Sequence, residues 1–356
     1  MYFYVLLILT ACIAWTAWCF WRILPLPAWG KGLAVALYLL CFLVIFPHFL
    51  LGDRMPLWLA TVTYELGTSW MIFFVYALLL FALLYLGRLL HLVPASFLKD
   101  SLPGTGTVLG ILIVLLVCGN LHYSHKYRQT LDLQTEKPLE RPLRIVLASD
   151  LHAGYHNRAG ELSRWVELIN AAKPDLVLLA GDLLDGALRP VREGRVDEVL
   201  RRIQAPVYAC PGNHESIAGR DGADAFYAAA GIHLLRDSAV AFAGIRIIGR
   251  DDRSNPQRAP LAALAPADSR FTLLLDHQPY HLEEAEAAGI DFQFSGHTHH
   301  GQIWPGSWIT DAMYEKAYGF HRRGATQYYV TSGLGLWGGK FRIGTRSEYL
   351  VLTLHD

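Results

Sequence analysis

The chain has 356 residues, 53% of them hydrophobic, a mean hydropathy of +0.26 and a formal net charge of zero. That length leaves room for two domains, and the apolar fraction is high for a wholly soluble protein, so a membrane part is implied. Zero net charge gives no electrostatic basis for a nucleic-acid partner, and none is expected. The charge is unevenly spread, since only eight Asp, Glu, Lys and Arg precede residue 122. Cys12, Cys19, Cys41 and Cys118 sit in apolar runs and Cys210 stands alone in the polar part, so no disulfide framework is expected there.

Apolar runs open the chain. The first, residues 2–21, is uncharged and long enough to cross hydrocarbon, and Arg22, Pro25 and Pro27 end it. A cleavable signal peptide is the competing reading, but there is no basic leader and Trp15, Trp18, Phe20 and Trp21 are bulky. Further runs at 33–51, 66–86 and 102–121 predict an all-α transmembrane region of about four helices over residues 1–121, with Leu57 as an alternative start for the third. Four spans put both termini on one side of a membrane, expected to be the bacterial inner membrane. Arg22, Lys31, Arg88 and Lys99 outnumber Arg54, Lys126 and Arg128 by one charge, so the positive-inside rule leans toward an extracytoplasmic polar part. Counting Lys137, Arg141 and Arg144 would reverse that lean. His48, Glu65 and His91 lie near span ends, where interfacial placement is expected.

Residues 122–142 turn polar, with two prolines and no apolar periodicity, and read as a linker. A catalytic domain is expected over 143–356. The stretch 143–148 predicts a strand; Leu162, Trp165, Val166 and Ile169 then recur at helical spacing. A buried-type strand at 176–180, a helix near 193–203 and a strand at 206–209 continue the βαβ alternation. Past Gly231 the pattern is strand-rich, at 239–242, 245–248, 271–275, 292–295, 328–331 and 349–354. Polar clusters follow the carboxyl ends of these strands, the edge where sites of α/β sheets assemble.

Those clusters contain Asp150, His152, Asp182, Asn213, His277, His297 and His299. Singly, each has a bland explanation as a cap, a turn or a surface histidine. Brought together, carboxylate, amide and imidazole donors without a thiolate suit divalent Mn, Fe, Zn, Mg or Co. Seven ligands are too many for one tetrahedral ion but suffice for two if a carboxylate bridges. Two ions about 4 Å apart clamp the attacking and departing oxygens of a displacement at phosphorus.

The ordered blocks Asp150-Leu-His152, Gly181-Asp-Leu-Leu-Asp185, Gly212-Asn-His-Glu215, the lone His277 and Gly296-His-Thr-His299 resemble those of the calcineurin-like metallophosphoesterases, in particular a membrane-associated bacterial branch. The resemblance covers residues 143–356 and implies a four-layer αββα sandwich. It implies a first metal on Asp150, His152, Asp182 and His299, and a second on Asp182, Asn213, His277 and His297. His214 would stabilise phosphoryl oxygens or protonate the leaving group, and Asp185 would orient it. The family's phosphoprotein phosphatases follow the matching aspartate with arginine, whereas this chain has Gly186, which weakens a phosphoprotein reading.

His300, Gln302 and His156 are candidates for substrate contact, while Arg250-Asp251-Asp252 reads as a solvated turn. Trp304, Trp308, Met313 and Tyr314, with Trp337 and Phe341 later, read first as core under a long loop. If exposed, they would suit an amphiphilic phosphate near a bilayer. The expected activity is hydrolysis of a phosphodiester or pyrophosphate, of a lipid-linked or sugar-nucleotide substrate, with the bilayer and that phosphorylated substrate as partners. A nucleotide-diacylsugar of the lipid A pathway is one example, and it would demand a cytoplasmic catalytic face. The alternatives are a phosphomonoesterase and a catalytically silent membrane scaffold or regulatory module.

Overall fold

A computed structural model describes residues 2–265 and 269–356. The chain divides into two units, Met1–Leu121 with Gly338–Phe341, and His122–Trp337 with Arg342–Asp356.

Among the described residues, four stretches of the first unit and its continuation are long and apolar enough to cross a membrane: Phe3–Ile23, Ala28–Arg54, Leu57–Leu89 and Leu102–Ser124. The second of these is a helix Ala28–Leu43 followed by a helix Ile45–Leu51. The third is a single helix of 33 residues, extending to both sides of the 66–86 run. Its extra amino-terminal turns carry Thr61, Thr63 and Glu65, which dilute the hydropathy without breaking the helix, because Thr63 donates its hydroxyl to the Leu59 carbonyl one turn back. His48, expected at an interface, is instead buried and donates Nδ1–H to the Ala60 carbonyl at 2.9 Å.

The second unit contains two sheets. The strands are β1 (Lys126–Gln134), β2 (Leu143–Ala148), β3 (Leu176–Ala180), β4 (Val207–Cys210), β5 (His233–Leu234), β6 (Ser238–Phe242), β7 (Ile245–Gly249), β8 (Phe271–Leu275), β9 (Phe292–Ser295), β10 (Gly319–Arg323), β11 (Thr326–Val330) and β12 (Ser347–His355). One sheet runs β1-β12-β2-β3-β4-β5 and the other β10-β11-β9-β8-β7-β6. Strand alternation explains how they stack. Ile145 and Leu147 of β2, with Leu176 and Leu178 of β3, meet Ile247, Leu273 and Phe294 in a core between the sheets. The opposite faces, Val146, Ala148, Val177 and Leu179, pack against Leu162, Trp165 and Ile169 of the helix Ala159–Ala171. On the far side Ile248 and Leu274 are covered by Leu282 and Ala285 of the helix Leu282–Ala287. The result is the αββα arrangement.

Two expectations need correction. The helix near 193–203 is two short helices, Arg189–Glu193 and Val196–Leu200, separated by Gly194 and by Arg195 in the left-handed region at φ 51°. Residues 122–142 are not a linker throughout: the span helix continues to Ser124 and β1 starts at Lys126. β1 lies parallel to β12 from Lys126 opposite Ser347 to Gln134 opposite His355. Only Leu131 and Leu133 reach the core, so the strand has too few apolar residues at period two to announce itself. A fragment begun at residue 141 would lack β1 and bare the edge of β12. We expect it to aggregate and to melt below a fragment begun at residue 122, and Leu133→Ala to destabilise the longer fragment by about 3 kcal/mol, measured by thermal and urea denaturation.

Candidate metal centre

Every polar cluster follows a strand. Asp150 and His152 follow β2, Asp182 follows β3, Asn213 opens a helix after β4, His277 follows β8, and His297 and His299 follow β9. Strands β2, β3 and β4 are parallel neighbours, as are β8 and β9, so within each sheet these carboxyl ends share an edge. Stacking the sheets brings the five loops to one place.

Among the described residues, the side-chain groups that could hold a metal there are Asp150 with His152 and His299, Asp182 with His277 and His297, and His152 with Asp185 and His214, the ligand atoms in each lying within 4.8 Å of one another. Asp182 joins them: its Oδ2 is 3.1 Å from His277 Nε2 and 3.8 Å from His152 Nε2. His277 donates Nδ1–H to the Ala180 carbonyl at 2.7 Å, which leaves the Nε2 lone pair facing the Asp182 carboxylate. His152 Nδ1 is 3.2 Å from Asp185 Oδ1, and its Nε2 lies 3.2 Å from His299 Nε2. Asn213 Oδ1 is buried without a hydrogen-bond partner. Lone pairs aimed at one another in a dry site repel, and only a proton or a cation between them resolves the arrangement. The donor set therefore fits divalent ions.

Electrostatics points the same way. Burial alone would raise the Asp150 pKa, but His299 and His152 outweigh it and hold the carboxyl well below the usual range. Asp182 is likewise held down against burial, chiefly by His277. Burial opposes charge on His152, yet Asp150, Asp185 and Asp182 push its pKa up to about 10. His297 moves the other way, to about 4, through burial and the neighbouring His277. Without a cation the pocket would hold protons instead.

Backbone conformation at the site is unusual. Asp150, His152, Asp182, His297 and His299 all have positive φ, between 45° and 68°. Such residues cost about 1–2 kcal/mol each and persist only where surrounding bonds over-determine them. Those bonds are present: Asp150 N–H and His152 N–H donate to the Gly181 and Asp182 carbonyls at 3.1 and 3.0 Å. Gly296 permits the closest approach, since a Cβ there would lie 2.2 Å from Asp150 Oδ2. His297 N–H then donates to both Asp150 oxygens at 3.1 Å.

His214 N–H donates to Asp182 Oδ1 at 2.9 Å. Asp185 lies closer to His152 than to His214, 3.2 against 3.9 Å, so it aligns a candidate ligand as well as the candidate acid. Of the substrate candidates, His300 stacks on Tyr318 with centroids 4.7 Å apart, and Gln302 donates Nε2–H to the Trp337 carbonyl. His156 is buried and stands outside the metal-binding groups. Arg250-Asp251-Asp252 is not a solvated turn but buried, with Arg250 paired to Asp276 at 3.2 Å and Glu284 at 2.6 Å. The 304–314 segment is core only in part: Tyr314 is buried, as is Phe341, but Trp308, Ile309 and Met313 are at least 60% exposed.

Several positioning residues escaped the sequence reading. Glu215, buried at the third position of the helix Asn213–Ala218, accepts from the N–H groups of Gly212, Asp182 and Leu184 at 2.7, 3.1 and 3.1 Å. Asn157 donates to the Leu151, His152 and Leu336 carbonyls, and Arg342, also buried, donates to the His299 and Gly335 carbonyls. Glu215 had a signal, as an acidic residue three after Gly212 completes a capping box. Asn157 and Arg342 had none.

The model of the calcineurin-like phosphoesterase family matches residues 143–301. An uncharacterized metallophosphoesterase from Helicobacter pylori strain J99 is 32% identical over 224 residues, which are 61% of this chain and 60% of that protein, so the chain spans under two thirds of that relative's length. A transmembrane protein with metallophosphoesterase domain from Danio rerio is 30% identical over 86% of this chain and 76% of its own. The metallophosphoesterase YkuE of Bacillus subtilis is 31% identical over 59% of this chain and 78% of its own.

Replacing Glu215 by Gln would turn an amide toward three buried donors. We expect a loss of about 2–3 kcal/mol in stability, read by denaturation of chelator-treated protein so that metal loss cannot account for it.

Proposed function

This chain belongs to the calcineurin-like metallophosphoesterases and is a membrane protein, and from that we propose a membrane-anchored phosphoesterase that cleaves phosphodiester or pyrophosphate bonds with two divalent ions. One observation carries the reading: Asp182, the carboxylate of one carboxylate–imidazole group, turns the same Oδ2 to His277 at 3.1 Å and to His152 of the other group at 3.8 Å. Asp150, His152, Asp182 and His299 would hold one ion, and Asp182, Asn213, His277 and His297 the other. Such ions supply Lewis-acid polarisation at phosphorus and water that ionises near neutral pH.

The chain's own groups do the rest. The His214 ring, 17% exposed, packs edge-on to His152 at 4.5 Å and is tied to Asp182 through its backbone N–H. From there it is placed to stabilise the phosphoryl oxygens or to give a proton to the leaving oxygen. Asp185 Oδ1 lies 3.2 Å from His152 Nδ1, and its charge on that side of the ring favours the orientation in which Nε2 faces the pocket.

The exposed Trp304, Trp308, Ile309 and Met313 favour an amphiphilic substrate taken at the bilayer over a freely soluble monoester. The bilayer and a lipid-linked or sugar-nucleotide phosphate are then the partners, with no nucleic acid involved.

Purified full-length protein should hydrolyse bis-p-nitrophenyl phosphate only with a divalent ion, and a chelator should abolish the reaction. Asp182→Asn and His214→Ala should each lower the rate about a hundredfold or more, with His214→Ala keeping its metal content. A metal-loaded wild type inactive on monoesters, diesters and lipid pyrophosphates would instead establish the silent scaffold. The charge balance of the loops leads us to expect the catalytic unit outside the cytoplasm. In sealed inside-out vesicles it should therefore resist protease until detergent is added, and ready digestion would place it on the cytoplasmic side.

A further inference from the structure

A cavity of about 300 Å³ in the catalytic unit is lined by His122, Tyr127, His300, Tyr318, Thr345 and Arg346. Among the described residues none of its lining side chains is acidic, and Arg346 is the full charge on its wall. Aromatic rings fix the nitrogen-bearing groups: Arg346 lies over Tyr127 at 5.4 Å, and the His300 ring stacks on Tyr318. Tyr318 spends its hydroxyl on Glu348 Oε2 at 2.7 Å, and Thr345 donates its own to the Gln302 carbonyl. His300 Nε2 faces Asp311 Oδ1 at 3.5 Å, which leaves Nδ1 as its other polar atom. The donors on this wall are thus a guanidinium and imidazoles, the groups that bind phosphate oxygens.

Two neighbours give the cavity a context. His122 is in the last turn of the helix Leu102–Ser124, which is long and apolar enough to cross a membrane, and Tyr127 follows three residues after its end. One wall therefore starts at the end of a candidate span. His300 directly follows His299 of the candidate metal centre, so the opposite wall is about one Cα spacing, 3.8 Å, along the chain from a ligand. Trp304 N–H donates to the Ile343 carbonyl at 2.7 Å, which fastens an apolar rim beside the segment carrying Thr345 and Arg346. On that rim Trp304 and Trp308 are 43% and 65% exposed, with ring centroids 5.4 Å apart. A cationic recess beside an exposed apolar pair matches a molecule with a phosphate at one end and a hydrocarbon chain at the other.

We propose that this cavity docks the phosphate-bearing headgroup of a membrane lipid, with Arg346 and His300 on the phosphate and the Trp304–Trp308 pair along the chain. The proposal rests on the phosphoesterase reading and deepens it, because it names the class of substrate delivered to the metal centre. Free phosphate offers the same oxygens without the chain, so the two sources are separable.

The test uses full-length protein in phosphatidylcholine nanodiscs, stripped of metal so that the metal centre does not compete. Binding of dihexanoyl phosphatidic acid, glycerol 3-phosphate and inorganic phosphate is measured by calorimetry. Dihexanoyl phosphatidic acid should bind most tightly. Arg346→Gln should weaken it about tenfold and Arg346→Lys should restore part of the loss, whereas Trp308→Ala should weaken only the acylated probe. The assignment is overturned if Arg346→Gln leaves lipid affinity unchanged. It is equally overturned if glycerol 3-phosphate binds as tightly as the acylated form with Trp308→Ala silent, which would make the cavity a free-phosphate site. Lipid binding in a wild type that hydrolyses no ester would sustain the docking site while removing the enzymatic reading on which its role depends.

Discussion

His277 Nε2 and Asp182 Oδ2 face each other at 3.1 Å, and a proton or a cation must stand between them, because the other nitrogen of the ring is committed to Ala180. The contact is set by strands, not by loops that could relax. Ala180 closes β3 and His277 lies just past β8, in sheets whose facing side chains are fully buried. Close-packed interiors transmit such a constraint and do not absorb it. The left-handed aspartates and histidines, the Glu215 carboxylate gathering three N–H groups, and the Arg342 and Asn157 clamps on neighbouring carbonyls all serve to keep lone pairs converged that would otherwise separate.

Much of this was legible in the chain because the groups that matter are tied to strand ends. Apolar runs at 143–148, 176–180, 271–275 and 292–295 announce strands by composition, and the polar residue that follows each one has nowhere to point but the sheet edge. Six of the seven proposed ligands fall in groups of side chains that could hold a metal, and the seventh, Asn213, has a buried side-chain oxygen without a hydrogen-bond partner. What stayed hidden depends on pairing or burial. β1 is held by β12 and has little apolar pattern of its own, and β10 is a short hairpin partner of β11. Arg250, Asp251 and Asp252 look solvated by composition and become core only because Asp276 and Glu284 meet Arg250. The tryptophans of the 304–314 segment erred in the opposite direction, apolar by type yet exposed, since no rule of composition says which hydrophobes a fold leaves outside.

The membrane half shows the same division between composition and contact. Hydropathy located the spans but not their limits, because helices continue through threonines and a glutamate whose backbone needs are met within the turn. A 33-residue helix at about 1.5 Å per residue is near 50 Å long, more than the roughly 30 Å of hydrocarbon, so part of Leu57–Leu89 stands clear of it or tilts strongly.

The place of β12 has a consequence for biosynthesis. It lies between β1 and β2, pairing parallel to one and antiparallel to the other, although residues 126–134 are made long before residues 347–355. Until that final strand emerges from the ribosome, β1 has no neighbour and β2 keeps one open edge. Helices formed from local contacts do not wait in this way, so the spans are free to insert while the sheet is still incomplete. The nascent second unit must therefore pass through a stage, already tethered to the bilayer, in which a half-built sheet is a target for chaperones and for other unfinished chains.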